Sequence, residues 1–122
     1  MKRSFLIIFI ILLSFYAEAK HNQTCVVKYK TQEGWSKKYT VEVTFLSGLE
    51  LNNATNSYKY SSYALYAVIF WQQDQASVIK ISNLLTCGET VEKDCISNVI
   101  LDLNGVDQDG DVWNICVSQF CF

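Results

Sequence analysis

The chain is nearly without histidine, the side chain that most often serves as a catalytic base. It has no proline, one methionine and a single histidine, His21. Serine and cysteine hydrolases need a base beside the nucleophile, and a zinc site built from the cysteines would have only His21 to complete it. The sequence therefore predicts a protein that is not an enzyme and that carries no cofactor and no metal ion.

Basic residues are also few after the first nineteen positions. Residues 20–122 contain eight lysines and no arginine against eleven acidic residues, which gives a formal net charge of −3. A protein that grips a nucleic-acid backbone needs a basic stripe on its surface. The composition therefore argues against nucleic acid as a partner.

The first nineteen residues form the one long hydrophobic feature. A basic head, Met1-Lys2-Arg3, precedes an apolar run from Ser4 to Tyr16, and Ala17-Glu18-Ala19 has the small-x-small pattern of a cleavage site. This order predicts a signal peptide over residues 1–19. The alternative, an uncleaved anchor, would need about 20 apolar residues. We expect residues 20–122 to form a single domain, secreted via the periplasm, with no membrane span.

Five cysteines must then be interpreted in an oxidising setting. Cys87 with Cys95 and Cys116 with Cys121 form two close pairs, and Cys25 stands alone. Sequence does not fix the connectivity, but the short separations favour these two disulfides and leave Cys25 unpaired. The alternative is a zinc site, whose usual C-x2-C spacing is missing here.

Alternation of apolar and polar residues predicts a mainly β fold. Lys38–Leu46 is the clearest case, because every second residue from Tyr39 to Phe45 is apolar or aromatic. Residues 49–59 are polar and predict a surface loop or a short edge strand. The other strands are expected at Thr24–Lys30, Ala76–Ser82, Val99–Leu103 and Val112–Val117.

Tyr60–Trp71 (YSSYALYAVIFW) can be interpreted in two ways. In the first interpretation, Ser61 and Ser62 cap a single helix that is apolar nearly all round. A small domain can cover only one side of such a helix, so a second copy of the protein would pack on its outer side. The competing interpretation is a fully buried strand. The helix interpretation predicts an oligomer interface at Tyr63, Tyr66, Ala67 and Phe70.

The acidic residues between the last two strands raise the question of calcium. Asp107, Asp109 and Asp111 begin like an EF-hand loop, but Val112 and Ser118 stand where its glycine and bidentate glutamate belong. A tight hairpin turn around Asp109-Gly110 explains the same residues. A loose surface calcium site stays open, and no pair of acids is placed as in a glycosidase.

Aromatic residues beside polar segments are the remaining candidates for a binding site. Trp35, Tyr39, Tyr58 and Tyr60 lie in or beside polar segments rich in serine, threonine and asparagine, and an aromatic ring can stack on the C–H face of a sugar. The alternative is that these rings belong to the core and only reach solvent with their polar ends.

Two passages resemble the receptor-binding B subunits of pertussis-like toxins, the group that includes subtilase cytotoxin and typhoid toxin. Ser61–Ser82 is similar to their helix-to-strand passage, and Ile115–Phe122 is similar to their closing strand and terminal disulfide loop. The resemblance implies a small OB-like barrel with one helix. It also implies that Thr24 stands near the position of a sugar-contacting serine in the first strand.

The resemblance further implies a function and its partners. The chain would be a glycan-binding, receptor-recognition subunit that forms a ring, with a pentamer expected, and that carries a catalytic toxin subunit to a host cell-surface glycan. Its glycan-binding residues would be Thr24, Trp35 and Tyr39. The alternative is a periplasmic or secreted inhibitor or immunity protein that inserts the acidic Cys87–Cys95 loop into a partner enzyme.

Overall fold

The computed structural model describes residues 21–72, 75–84, 86–99, 102–117 and 121. The predicted signal peptide, residues 1–19, lies outside these ranges. The described chain forms strands and two short helices, namely β1 (His21–Thr31), β2 (Gly34–Trp35), β3 (Tyr39–Ser47), α1 (Gly48–Thr55), β4 (Leu65–Gln72), β5 (Gln75–Ile81), α2 (Lys93–Ser97), β6 (Leu103–Val106) and β7 (Val112–Cys116).

Six of the strands close into an antiparallel barrel, and β2 is an extra strand beside β1. The long β1 pairs with β3 through His21–Val27 and with β7 through Val26–Tyr29, which joins the two ends of the sheet. Around the rest of the barrel each strand pairs with the next one in the chain, as in a meander. The predicted mainly β, disulfide-stabilised, OB-like barrel is confirmed.

The barrel interior holds the main core. Val43 and Phe45 of β3 are fully buried there, and Tyr39 and Val41 pack against the same core, so the apolar face predicted for this strand is confirmed, whereas Thr44 of the predicted wet face is also buried. The inward side chains of the other barrel strands complete the filling, as expected for a small barrel. The largest of them are Trp113, Leu65, Ile69, Ile79, Leu103 and Ile115.

The helix predicted over Tyr60–Trp71 is wrong, because Leu65–Gln72 forms strand β4. Its inward residues, such as Ile69, lie in the barrel core. Its outward residue Val68 lies in a second apolar cluster, which contains Leu51 of α1. A strand that is buried on both faces has a continuous apolar sequence, and such a run cannot be distinguished from a buried helix by periodicity.

The surface loop or edge strand predicted over residues 49–59 is also wrong, because Gly48–Thr55 forms helix α1. The Ser47 hydroxyl accepts a hydrogen bond from the Glu50 amide (3.0 Å), and the Glu50 carboxylate accepts one from the Ser47 amide (2.9 Å). This capping box is the S-x-x-E signal of a helix start. Leu51 and Ala54 are buried, which seats the helix on the barrel.

The four residues predicted for an oligomer interface do not share a helix face. Ala67 is fully buried inside the barrel, and Tyr66 belongs to the apolar cluster outside it. Phe70 packs half-buried against that outer cluster, whereas Tyr63 is 59% exposed. Because one chain covers both faces of this segment, a two-sided apolar helix no longer supports assembly, and oligomerisation stays a prediction.

The later predicted elements are partly confirmed. The Ala76–Ser82 and Val112–Val117 predictions agree with β5 and β7, and the last barrel hairpin turns at residues 107–111. Residues 100–101 of the predicted strand Val99–Leu103 lie outside the described ranges, and β6 begins at Leu103.

Both predicted disulfides are present. Cys87 bonds Cys95 and Cys116 bonds Cys121, with Cα–Cα distances of 6.0 and 5.9 Å, inside the usual range. Cys25 is free and fully buried. Disulfides are typical of extracellular and periplasmic proteins. Within the described ranges, no helix is long and apolar enough to cross a membrane.

We predict that Cys25 does not react with iodoacetamide in the folded protein. Burial raises the pKa of its thiol from 9.0 to about 12, so the reactive thiolate is suppressed at ordinary pH. Mass spectrometry should find no adduct on the native protein at pH 8 and one adduct after denaturation without reductant. Since the thiol ionises more readily when unfolded, its contribution to stability should be lost as pH rises from about 9 towards 12. Rapid native labelling would contradict the burial.

Substitution of Gly48 should destabilise the fold. A Cβ at this first position of α1 would clash with the backbone carbonyl of Ser61. We expect Gly48→Ala to lower the free energy of unfolding by about 1–3 kcal/mol, as overpacking does. The control is Asn53→Ala on the exposed side of the same helix, which should be neutral in a urea titration. Equal midpoints for the two variants would show that the Ser61 contact is unimportant.

Candidate functional site

The three predicted glycan-binding residues lie in different environments. Thr24 is exposed on the outer face of β1, and Trp35 is exposed on β2. Tyr39 points inward, because it continues the alternation of the buried β3 residues Val43 and Phe45. Thr24 pairs with Glu42, so the side chains of these two residues lie on the same face of the sheet. Glu42 is three residues beyond Tyr39, so Thr24 and Tyr39 lie on opposite faces.

The position of Trp35 is set by the turn between β1 and β2. The Thr31 hydroxyl donates to the Gly34 carbonyl (2.7 Å) and accepts from the Glu33 amide (3.2 Å). Gly34 has a φ of 116°, a conformation that glycine adopts most readily. Trp35 then pairs with Lys30. The exposed indole is therefore carried by a well-defined hairpin on the outside of the barrel.

Lys28 holds this indole from the neighbouring strand. Its ammonium nitrogen lies 5.0 Å from the centroid of the Trp35 ring, within the range of a cation–π interaction. Trp35 nevertheless keeps 44% of its surface exposed. The result is an aromatic platform whose orientation is restrained and which is open to a ligand.

A pocket of about 180 Å³ lies on the outer surface beside this platform and shares Lys28 with it. Its other walls come from β1, β7, the segment before β3 and the terminal disulfide. The Cys116–Cys121 bond thus shapes a surface feature as well as closing a loop. The lining residues are Val26, Val27, Lys28, Lys38, Asp102, Asn114, Cys116 and Cys121.

An amide and carboxylate network fixes the polar side of the pocket. The Asn114 amide nitrogen donates to the Asp102 carboxylate and to the Asn104 side-chain oxygen, both at 3.1 Å. Asn83 donates to the Asp102 carbonyl and accepts from the Asn104 amide, both at 2.8 Å. Because these groups restrain one another, the pocket presents polar atoms in fixed positions.

Tyr39 belongs instead to a cluster of aromatic rings inside the barrel. Its ring lies 6.3 Å from Tyr29 and 5.6 Å from Trp71, and both of these rings contact the fully buried Trp113. Tyr39 therefore packs against the barrel core, as the alternative interpretation of these aromatic residues predicted. Lys37 lies 5.2 Å from its ring and extends the lysine-rich surface to this point.

The three aspartates have a structural role in the last hairpin. One carboxylate oxygen of Asp107 accepts from the amides of Asp109 and Asp111 (2.9 Å each), and the other accepts from the Trp113 indole (2.9 Å). The three carboxylates lie within 4.8 Å of one another. These hydrogen bonds support the predicted hairpin turn and give the Asp107 carboxylate a structural role in it.

Lysines around Trp35 are the part of the site that the sequence interpretation missed. Residues 28–38 contain four lysines and one glutamate, a net charge of +3, whereas the rest of residues 20–122 contains four lysines and ten acids, a net charge of −6. A windowed charge count would have found this segregation, which the net charge of the whole chain conceals.

The acidic loop between Cys87 and Cys95 is firmly attached to the barrel. The Ser47 hydroxyl donates to the Glu89 carbonyl (2.6 Å), and the Glu50 carboxylate accepts from the Val91 amide (3.2 Å). Val91 is buried, whereas Glu89 and Glu92 are exposed. The loop is thus a restrained acidic protrusion.

Comparison with known proteins gives no relative. No protein-family model, no curated protein and no solved structure matches this chain.

Proposed function

We propose that this protein is a non-catalytic, glycan-binding subunit, which serves a secreted bacterial toxin in receptor recognition as the resemblance implies. The observation that carries the proposal is the restrained, 44% exposed indole of Trp35 beside a polar outer pocket. Tryptophan side chains are on average largely buried in folded proteins. Aromatic residues are enriched at the surfaces with which proteins bind their partners.

The chemistry of the site suits a sugar. The indole offers an apolar face to the C–H groups of a pyranose ring. The Asp102 carboxylate can accept hydrogen bonds from hydroxyl groups, and so can the side-chain oxygen of Asn114, whose two N–H donors are used by Asp102 and Asn104. Because the network restrains these groups before binding, little side-chain entropy is lost when the sugar arrives.

Monovalent binding at such a site is weak, since one stacked ring and a few hydrogen bonds leave little free energy after the ordering costs. Several identical sites on one ring multiply the avidity without any new contact. The proposal therefore includes assembly into a ring, with a pentamer expected, and a catalytic toxin subunit as the second protein partner.

We predict that Trp35→Ala abolishes most glycan binding. Loss of the stacking face should weaken the affinity about tenfold or more, which corresponds to ~1.4 kcal/mol. Trp35→Phe should retain part of the affinity, because a smaller aromatic face remains. Binding is measured on a glycan array and then by calorimetry with the best ligand.

The matched control is Tyr58→Ala, which removes an aromatic side chain that is 99% exposed in the loop after α1. This variant should bind as the wild type does. If Trp35→Ala and wild type bind the array equally well, the Trp35 face is not the glycan site. If the array shows no bound glycan for the wild type, the proposed function is wrong.

Ring assembly has a separate test. We expect the mature chain, residues 20–122, to elute as an oligomer in size-exclusion chromatography with light scattering at micromolar concentration. If the measured mass equals that of one chain across the concentration range, ring assembly is wrong. Glycan binding by the single domain is a separate question, which the Trp35 variants test.

The restrained acidic loop favours a second candidate, a secreted inhibitor or immunity protein. Hydrogen bonds from Ser47 and to Glu50 hold the loop backbone in place, and Glu89 and Glu92 are exposed on it. A rigid protruding loop binds an enzyme cleft with a low ordering cost. An empty glycan array together with tight, Glu92-dependent capture of one enzyme would favour this candidate.

A further inference from the structure

We propose that the ligand of the Trp35 face is a sulfated, polyanionic polysaccharide, recognised by Lys28, Lys30, Lys37 and Lys38 together. This inference rests on the proposed glycan-binding function and specifies the chemical class of the glycan.

Strand β1 and the segment before β3 bring the lysines together near one platform. Lys28 and Lys30 are alternate residues of β1, so they lie on the same face about 7 Å apart. Lys30 is paired with Trp35 across the ladder, and Lys28 contacts the Trp35 ring. Lys38 comes from the segment before β3 and lines the same pocket as Lys28. Lys28, Lys30 and Lys38 therefore lie around the indole and the pocket, and Lys37, next to Lys38 in the chain and in contact with the Tyr39 ring, adds a fourth charge at the edge of this region.

The contacts of these lysines leave their charge available. Lys28 and Lys37 lie over the rings of Trp35 and Tyr39, at 5.0 and 5.2 Å from the centroids. A ring does not neutralise an ammonium group as a carboxylate does. Lys30 and Lys38 are exposed. Each lysine can thus meet an anionic group of a ligand.

The spread of the four charges indicates a ligand with repeated anionic groups. A single carboxylate could contact only one or two of the lysines, whereas sulfates along a polysaccharide can pair with all of them in turn. Clusters of basic residues bind polyanions, among them heparin and nucleic acids, and the exposed indole beside this cluster favours the polysaccharide. Asp102 lies at the pocket wall, where it accepts a hydrogen bond from an unsulfated hydroxyl group.

The experiment compares heparin with neutral dextran as probes, using the mature protein and surface plasmon resonance. Heparin should bind at physiological salt and lose affinity as the salt concentration rises, because exposed charges are screened. Neutral dextran should bind at least tenfold more weakly. Lys30→Ala and Lys38→Ala should each weaken heparin binding about two- to fivefold, the effect of one exposed charge pair. In the Lys30→Ala/Lys38→Ala double variant, the heparin affinity should fall by about the product of the two single-variant factors.

Lys93→Ala is the matched control, because Lys93 is exposed on α2 outside the lysine cluster, and its heparin affinity should equal that of the wild type. A DNA duplex of similar charge density is the second control and should bind at least tenfold more weakly, since its sugars are furanose rings of the backbone and it offers no pyranose face to Trp35. Equal affinity for DNA and heparin would show general attraction to polyanions and overturn the proposal.

The remaining outcomes separate this inference from the proposed function. If heparin does not bind but neutral glycans bind in a Trp35-dependent manner, the polyanion inference fails and the proposed function stands. If neither heparin nor any arrayed glycan binds, both fail. Heparin binding that is weakened to the expected extent in the lysine variants and in Trp35→Ala supports both.

Discussion

Closure of the barrel through β1 is the constraint on which the rest of the structure depends. Val26 pairs with Thr40 on one side and with Cys116 on the other, and Val27 pairs with Tyr39 and Ile115. The strand therefore has neighbours on both sides along this stretch, which removes the open edges that an unclosed sheet would expose. Closure also separates an inside from an outside, so that alternate residues of one strand serve two different purposes.

The candidate site follows from this separation. The inward residues of β1, such as Cys25 and Val27, fill the core, and the outward residue Lys28 meets Asn114 of β7 across the closing ladder. Since β2 extends from the far end of β1, Trp35 is brought beside Lys28 by backbone pairing. The same hydrogen bonds that close the barrel thus assemble a polar outer surface from segments almost ninety residues apart in the chain.

The sequence predicts the fold wherever a local pattern carries the information. Alternation gives β3 because one of its faces is partly wet, and short cysteine separations give both disulfides. Leu65–Gln72 is different, because α1 covers its outer face and the barrel core covers its inner face. Both faces are therefore apolar, and the sequence does not alternate between apolar and polar residues. That covering depends on contacts between distant segments. The start of α1 could have been found from Ser47 and Glu50, since their capping box is local.

The candidate site is less accessible from sequence, because its residues meet through strand register. Trp35 is visible as an aromatic residue in a polar segment, but its contact with Lys28 requires the β1–β2 hairpin. The pocket also needs Asn114 and Asp102, which reach it only after β7 pairs with β1. Tyr39 shows the converse error, because its polar sequence neighbours conceal an inward-facing ring that stacks on Tyr29.

Net charge is a poor guide to the partners of this protein. Residues 20–122 carry a formal charge of −3, yet residues 28–38 carry +3 and present it around one aromatic platform. At physiological ionic strength the Debye length is about 8 Å, so a ligand at this platform responds mainly to the nearest charges. The acidic residues elsewhere keep the whole chain negative and oppose non-specific attraction to polyanions at a distance. Local geometry therefore permits an anionic partner that the composition alone would exclude.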